Sequence, residues 1–231
     1  MENKKLEKSK KKIVWLVIGL SIGLLFMGVL RKSALHTNMF TPLSGFATPG
    51  YILISVFFTI WLVRAGLPLN KFGFRKKLDL RHISLAIIAI VILRVFAYTV
   101  NPIIEELFSG PRNLERFSDV EGSAMSFVVL LITNWTLAAF GEEFAYRILL
   151  MRGLSYIFGD SKTAKVSALL LQSVMFGLIH SYQGTTGIIG SVFSGLVFGT
   201  ITLIGRWSIW PAALAHGTNN TIGIIAIYLG E

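Results

Sequence analysis

Cysteine is missing from all 231 residues of this sequence. Its absence excludes disulfide bonds, thiolate nucleophiles and metal sites that depend on cysteine ligands. Acidic residues are also few, 12 in all, and the three aspartates (Asp79, Asp119 and Asp160) lie in polar connections. A mechanism that needs two aspartates inside an apolar segment is therefore excluded as well.

Apolar residues, by contrast, are abundant. They make up 53% of the chain, and the mean hydropathy is +0.66. Long, nearly continuous apolar runs are typical of helices that cross a membrane. We therefore expect an all-α fold, a polytopic transmembrane helical bundle of about seven spans in a single domain. The expected spans are residues 13–30, 51–63, 83–100, 125–151, 165–180, 188–204 and 209–229.

Basic residues are concentrated at the N-terminus. The net charge is +10, and six lysines lie within residues 1–12, directly before the first apolar run. Such a cluster is typical of a cytoplasmic tail that faces anionic lipid, so the expected partner is the lipid bilayer and no nucleic acid. We divide the chain into this lysine-rich tail, N-terminal transmembrane helices and loops at 13–122, and a core of transmembrane helices at 123–231.

Two adjacent glutamates, Glu142 and Glu143, stand inside the apolar stretch 131–150. An ionisable group in a membrane span is costly unless it is paired or hydrated, so such residues mark function. On an α-helix Glu143 and Arg147 share a face and can form an ion pair, whereas Glu142 is turned away by about a quarter of a turn. A desolvated carboxylate at Glu142 is a candidate general base. Glu143 and Arg147 are either catalytic or a structural pair.

Two histidines in apolar segments are further candidates. His180 follows Phe176 by four residues and shares its helix face, and a lone histidine near the end of a span also fits a simple hydrogen-bonding role. His216 and Asn220 are likewise four residues apart, and both side chains can donate hydrogen bonds. Two donors that converge on one point can hold an oxyanion, but the same residues can instead clamp two helices together. Asn219 points roughly a quarter turn away.

The three patterns taken together resemble one family. EExxxR at 142–147, FxxxH at 176–180 and HxxxN at 216–220 follow the pattern of the CPBP or Abi family of intramembrane proteases, which includes the type II CAAX prenyl endopeptidases. The N-terminal half carries no motif of this family. The resemblance implies that residues 123–231 form the catalytic core of a glutamate-type intramembrane endopeptidase. Its substrate would be a membrane-embedded or membrane-associated protein or peptide.

The resemblance also implies a role for each matching residue. Glu142 would be the general base and would activate a water molecule together with His180. His216 and Asn220 would form the oxyanion hole. Glu143 and Arg147 would support the site by charge pairing and orientation. No cofactor and no metal are expected, and we expect a multi-pass protein of a bacterial cell membrane with a cytoplasmic N-terminus.

Three other interpretations stay open. A non-enzymatic immunity or scaffold protein of the membrane would use the polar cluster for helix packing. A transporter or proton relay would use Glu142, Glu143 and the histidines. A zinc-dependent protease would use two histidines and a glutamate as ligands, although the HExxH pattern is absent.

The depth of the candidate residues sets a structural test. Counted along straight helices from the cytoplasmic side, Glu142 and His216 lie about 14 Å deep and His180 about 22 Å deep. Tilted or shifted helices would have to bring the three side chains together. One cavity shared by all three is therefore required if the resemblance is to hold.

Overall fold

The protein is helical throughout the part of the chain that the computed structural model describes. These are residues 2–36, 42–67, 73, 77–108 and 110–230, with side chains described for 9–30, 50, 52–67, 73, 77–108 and 110–230. These residues contain no strand beyond an isolated bridge between Gly73 and Ser208. The all-α prediction is confirmed. Residues 1–8 of the expected lysine-rich tail lie outside the described side chains.

The helices follow the expected apolar segments. The first half contains α1 (Glu2–His36), α2 (Pro42–Arg64), α3 (Leu80–Thr99), the short α4 (Asn101–Leu107) and a 3-10 turn at Glu115–Val120. A continuous helical run follows, made of α5 (Ala124–Thr133), the π-helical segments π1 (Asn134–Glu142) and π2 (Phe144–Met151), and α6 (Arg152–Ile157). The chain ends with α7 (Lys162–Leu178), a 3-10 turn at Ser181–Gln183, α8 (Gly184–Ile204) and α9 (Trp210–Leu229). The sequence did not predict α4 or the π-helical geometry.

Four helical segments among the described residues are long and apolar enough to cross a membrane. They are Ser9–Leu30, Leu80–Thr99, Ala124–Ile157 and Ser181–Ile204. The apolar helix Ile52–Arg64 is shorter, and α7 has only 17 residues, fewer than the roughly 20 that span a bilayer directly. The structure therefore supports a membrane-embedded helical bundle, whereas the expected number of seven spans is not confirmed.

Polar residues in the connections determine where the helices begin. Asp79 precedes α3 and accepts a hydrogen bond from the backbone N–H of His82 at 3.0 Å. Ser161 precedes α7 in the same way and accepts from Ala164 at 3.1 Å. These caps satisfy N–H groups that the first turn of a helix leaves without a partner. The start of α7 is thus determined locally, and this sets the position of the residues at its other end.

Small residues let α7 and α8 approach closely. A Cβ atom at Gly177 would lie 2.3 Å from Val192 Cγ2 and 2.8 Å from the carbonyl oxygen of Ile188. A Cβ atom at Gly195 would lie 3.0 Å from Ser173 Cα. Such spacing permits backbone contact between membrane helices. The turn that follows α7, which carries His180, is therefore held close to the start of α8.

The interior and the outer surface of the bundle are both apolar. One buried cluster joins α1, α2, π2, α7 and α9, and includes Leu20, Leu62, Leu149, Phe176 and Ala213. Large apolar side chains are also exposed along the helices, for example Ile87, Val91 and Val95 on α3. An exposed apolar row of this length suits contact with lipid chains. The polar cluster described below therefore lies between an apolar core and an apolar exterior.

We expect Gly177→Ala to destabilise the protein by about 1–3 kcal/mol, because the new methyl group overlaps the backbone of α8. Gly190→Ala is the matched control, since its Cβ would meet only Asn101 Oδ1 at 4.0 Å. Thermal unfolding in detergent, followed by tryptophan fluorescence, measures both. Equal melting temperatures for the two variants would contradict the close packing of α7 on α8.

A charge pair joins α6 to the connection that follows it, in which Asp160 lies outside the candidate spans. Arg152 donates two hydrogen bonds to Asp160, at 2.7 and 2.8 Å, and Ser155 donates a third at 2.7 Å. Partial burial alone would raise the pKa of Asp160, but the hydrogen bonds from Ser155 and Arg152 and the charges of Arg152 and Lys165 outweigh it. The pKa of Asp160 is therefore lowered from its ordinary value. The backbone φ of Asp160 is 60°, a conformation that asparagine also tolerates.

Asp160→Asn is expected to lower stability by about 1 kcal/mol at neutral pH, a small effect because the carboxylate is partly exposed. A lowered pKa in the folded state means that this stabilisation is complete above the ordinary aspartate pKa and is lost as pH falls through the lowered value. The melting temperatures of wild type and variant should therefore converge in acid. Asp119→Asn, at an exposed position, serves as the control. A difference that stays constant down to strongly acidic pH would contradict the proposed pair.

Candidate functional site

A cavity of about 260 Å³ is bounded by α3, α5, π1, α9 and the connections around them. Its volume has room for several water molecules, since each takes about 30 Å³ in the liquid. The polar and charged side chains that line it are Arg94, Arg112, Arg116, Thr133, Asn134, Glu142, His180, Tyr182, Gln183, His216, Asn219 and Asn220. Four of the six residues predicted from the sequence, Glu142, His180, His216 and Asn220, therefore border one space.

The two glutamates separate as predicted. Glu142, the last residue of π1, borders the cavity and is 6% exposed. Glu143 and Arg147 are both 0% exposed and lie behind it. Departures from α-helical geometry are frequent at functional sites. Glu142, Glu143 and Arg147 all lie in or between the π-helical segments. Of the two adjacent glutamates, Glu142 therefore borders the cavity and Glu143 belongs to the buried ion pair.

Each oxygen of the Glu143 carboxylate lies close to a different partner side chain. Its Oε2 lies 2.9 Å from Arg147 Nε, which is the pair expected from the sequence. Its Oε1 accepts a hydrogen bond from His216 Nδ1 at 2.8 Å. Nothing in the sequence spacing indicated this second contact, because 73 positions separate the two residues. Glu143 therefore connects the glutamate motif to the histidine of α9.

Phe176 packs among the charged and imidazole groups. Its ring centroid lies 4.7 Å from that of His180 and 6.1 Å from that of His216. The guanidinium carbon of Arg147 lies 4.5 Å from the same ring, within cation–π distance. The phenylalanine of the FxxxH pattern thus sets the spacing between the two histidines.

The hydrogen bonds of the two histidines determine their tautomers. His180 Nδ1 lies 2.7 Å from the carbonyl oxygen of Phe176, which can only accept, so Nδ1 carries the proton. The neutral His180 ring then has its lone pair on Nε2. His216 Nδ1 likewise donates to the Glu143 carboxylate. Its Nε2 can donate a hydrogen bond only when the ring is doubly protonated.

Asparagine residues hold α9 against its neighbours. Asn134 donates to the carbonyl oxygen of Gly217 at 2.9 Å and to Thr221 Oγ1 at 3.3 Å, which ties π1 to α9. Asn219 accepts a hydrogen bond from Arg94 Nη2 and also lines the cavity. Helix geometry alone predicts that Asn219 points about a quarter turn away from Asn220 and so away from the site. The structure corrects this expectation, because the cavity is wide enough to border both faces of this turn of α9.

Residues 124–222 match the family model described as type II CAAX prenyl endopeptidase Rce1-like. The match covers 99 of the 231 residues, and this part of the chain is similar to that family. The match confirms the family that the three motifs suggested, and it indicates a CAAX-type intramembrane protease, a hydrolase. Comparisons with curated proteins and with solved structures found no match.

The matched part of the chain does not supply the whole cavity. Arg94 comes from α3, Arg112 from the segment before the 3-10 turn, and Arg116 from that turn, all before residue 124. Arg94 is an arginine inside the expected span 83–100, but its position in the sequence gave it no assigned part in the site. Asn134 had the same kind of signal, a polar residue in an apolar run. Arg112 and Arg116 lie in a polar connection and had none.

Metal ligation was tested on the same residues. Within the described part of the chain, no three side chains of His, Cys, Asp or Glu lie close enough together to hold a metal ion. The zinc-dependent alternative needs Glu142 and both histidines at one point. The residues present do not fit that arrangement, so no step of the reaction is assigned to a metal.

The two neighbouring glutamates should respond differently to the same substitution. Glu143→Gln removes the charge that balances Arg147 and His216 in a fully buried position, and we expect a loss of about 3–5 kcal/mol. Glu142→Gln is the matched control, since Glu142 borders the cavity, and its melting temperature should stay near that of wild type. Thermal unfolding in detergent compares them. A larger loss for Glu142→Gln than for Glu143→Gln would contradict the assigned positions.

Proposed function

We propose that the protein is a glutamate-type intramembrane endopeptidase that hydrolyses a peptide bond in a membrane-associated protein or peptide. The observation that supports this most directly is the shared cavity, which Glu142, His180, His216 and Asn220 all border inside the part of the chain that is similar to the Rce1-like family. The six residues Glu142, Glu143, Arg147, His180, His216 and Asn220 form the proposed catalytic machinery. Glu143 and Arg147 act in it as positioning residues.

The proposed attack begins with one water molecule between two acceptors. The Glu142 carboxylate and the Nε2 lone pair of His180 both accept hydrogen bonds, so they can orient the same water molecule. Glu142 removes a proton as the water oxygen bonds to the substrate carbonyl carbon. That proton then passes to the nitrogen of the departing amine as the C–N bond breaks. His180 can relay it, because its ring can bind a proton at Nε2.

The negative charge that develops on the substrate oxygen needs donors. The Asn220 amide supplies one N–H. His216 supplies the second from Nε2 when its ring is doubly protonated, while Glu143 holds the ring in place through Nδ1. Arg147 in turn lies 2.9 Å from Glu143, so the proposed arrangement places Glu143 between a guanidinium and the His216 ring. The contact of Glu143 with His216 explains why the EExxxR and HxxxN motifs occur together in one site.

The membrane supplies the setting of the proposed reaction. Four apolar helical segments and the family match support an integral membrane protein, and a substrate with an apolar segment would reach the cavity from the bilayer. A cytoplasmic N-terminus and a bacterial cell membrane stay predictions. The scaffold alternative has one observation in its favour, because the buried Glu143 pairs with Arg147 and ties this helical run to α9 through His216 whether or not chemistry occurs.

The test compares cleavage of a peptide library by purified protein in detergent. Glu142→Gln and His180→Ala should each lower the cleavage rate by about 10²-fold or more, because each removes a group that handles the proton. Glu115→Gln, an exposed carboxylate outside the cavity, is the matched control and should cleave at the wild-type rate. The same assay with a chelator tests the zinc alternative.

Two results would contradict the proposal. Wild-type cleavage by folded Glu142→Gln protein would remove the proposed base. If the wild-type protein cleaves no peptide and the variants lose only stability, the scaffold alternative is supported instead. Uptake into proteoliposomes that disappears in Glu142→Gln would favour transport.

A further inference from the structure

Three arginines border the cavity together with the glutamate. Arg94 comes from α3, and Arg112 and Arg116 come from the segment that follows α4. Among the described residues, none of the three forms an ion pair with an Asp or Glu side chain. Each positive charge in this wall of the cavity is therefore left without a compensating carboxylate from the described chain.

Arg94 has donor capacity that the protein does not use. It lies half-buried within the apolar helix α3, where a charged side chain is costly. Its Nη2 donates to the neutral amide oxygen of Asn219, the residue next to Asn220. Its Nε is buried and has no hydrogen-bond partner among the described residues. The Arg94 guanidinium thus lies beside the proposed oxyanion hole. Its Nε–H group can still donate a hydrogen bond to a ligand.

Arg112 and Arg116 are held in place by neutral groups. Arg112 Nε donates to Gln183 Oε1 at 2.6 Å, and its Nη2 lies 3.4 Å from Ser191 Oγ. The guanidinium carbon of Arg116 lies 5.0 Å from the ring of Tyr182, within cation–π distance. Both contacts orient the guanidinium groups without neutralising them. The segment is therefore anchored to the turn that follows His180, and both arginines border the cavity.

The charge balance of the cavity favours an anion. Three guanidinium groups face one lining carboxylate, Glu142, because Glu143 lies behind the wall and is already paired with Arg147. A guanidinium binds a carboxylate through parallel hydrogen bonds, the strongest neutralisation available to it. The same charges in a partly enclosed cavity are screened less by salt than charges on an open surface.

We propose that the arginine-lined wall binds a carboxylate of the substrate and so restricts cleavage to peptides with an acidic group close to the scissile bond. This inference rests on the proposed function, because it takes the bound peptide to be the substrate of the protease. Binding of a carboxylate by the arginines does not itself depend on catalysis. The carboxylate can be a free C-terminus or the side chain of Asp or Glu. Both present the same chemistry to Arg94, Arg112 and Arg116.

Binding is measured first, with the full-length protein in detergent. Three fluorescein-labelled apolar hexapeptides differ in one group each: a free C-terminal carboxylate, a C-terminal amide, and a C-terminal amide with one internal glutamate. Fluorescence anisotropy is recorded with Glu142→Gln protein, so that binding is not obscured by cleavage, and cleavage of the same peptides by wild-type protein is followed separately. We expect at least one acidic peptide to bind about tenfold or more tightly than the neutral one.

Charge-removing variants then assign the preference to the arginines. Arg112→Gln combined with Arg116→Gln should reduce the preference for the acidic peptide several-fold, and Arg94→Gln should reduce it further. Arg112 and Arg116 lie on an exposed segment, so their variants test the idea even if Arg94→Gln impairs folding. Arg64→Gln is the matched control, because Arg64 lies at the end of α2 over Trp61, away from the cavity, and should leave the preference unchanged.

Each outcome separates this site from the protease. Equal affinity for acidic and neutral peptides, no binding of either, or a preference that survives all three substitutions overturns the carboxylate site. Displacement of the peptides by anionic lipid vesicles but not by excess acidic peptide assigns the arginines to lipid headgroups and also overturns it. A clear acidic preference without any cleavage supports the carboxylate site and counts against the protease. Cleavage of all three peptides at the same rate supports the protease and counts against the carboxylate site.

Discussion

Glu143 is the residue on which the rest of the site depends. It is fully buried, it binds Arg147 on one oxygen and His216 on the other, and it thereby joins π2 to α9. A buried carboxylate without such partners would be costly, and so would a buried guanidinium. The pairing therefore has to be complete before the helices can pack closely. Once it is complete, the position and tautomer of His216 follow from it.

Aromatic side chains around the Glu143–Arg147 pair exclude water from it and hold it in place. Phe176 packs against both histidines and under the Arg147 guanidinium, and Phe198 stacks on His216 with ring centroids 5.0 Å apart. Aromatic rings fill the space without competing for hydrogen bonds. Glu142, one position earlier in the chain, faces the cavity instead. A single helical run thus provides both a buried structural charge and a charge available for chemistry.

The cavity combines residues from both halves of the chain. The family match begins at residue 124, whereas the arginines of the cavity wall all precede it. Asn134 bonds π1 to α9, and Arg94 bonds α3 to α9, so both parts of the wall meet on the helix that carries His216. The chemical groups and the charge that surrounds them therefore come from different parts of the sequence. Helix α9 contacts both parts, through Asn134 of π1 and Arg94 of α3.

The sequence by itself determined the helical class, the apolar segments and the residues capable of chemistry. Those properties are local: hydrophobic composition selects membrane helices, and a spacing of four residues puts Glu143 beside Arg147. The straight-helix count placed Glu142 and His180 at different depths. The helical run in fact continues past the expected end at 151 to Ile157, which puts Glu142 roughly 20 Å from that end, close to the depth counted for His180.

Only the tertiary structure decided which distant groups meet. The contact of Glu143 with His216, the place of Asn219 and Asn134 in the site, and the convergence of Arg94, Arg112 and Arg116 all cross between helices. Helix-to-helix contacts depend on the crossing points of the whole bundle, which close packing at glycines such as Gly177 sets. No periodicity in the sequence encodes those crossing points, because periodicity describes one helix at a time.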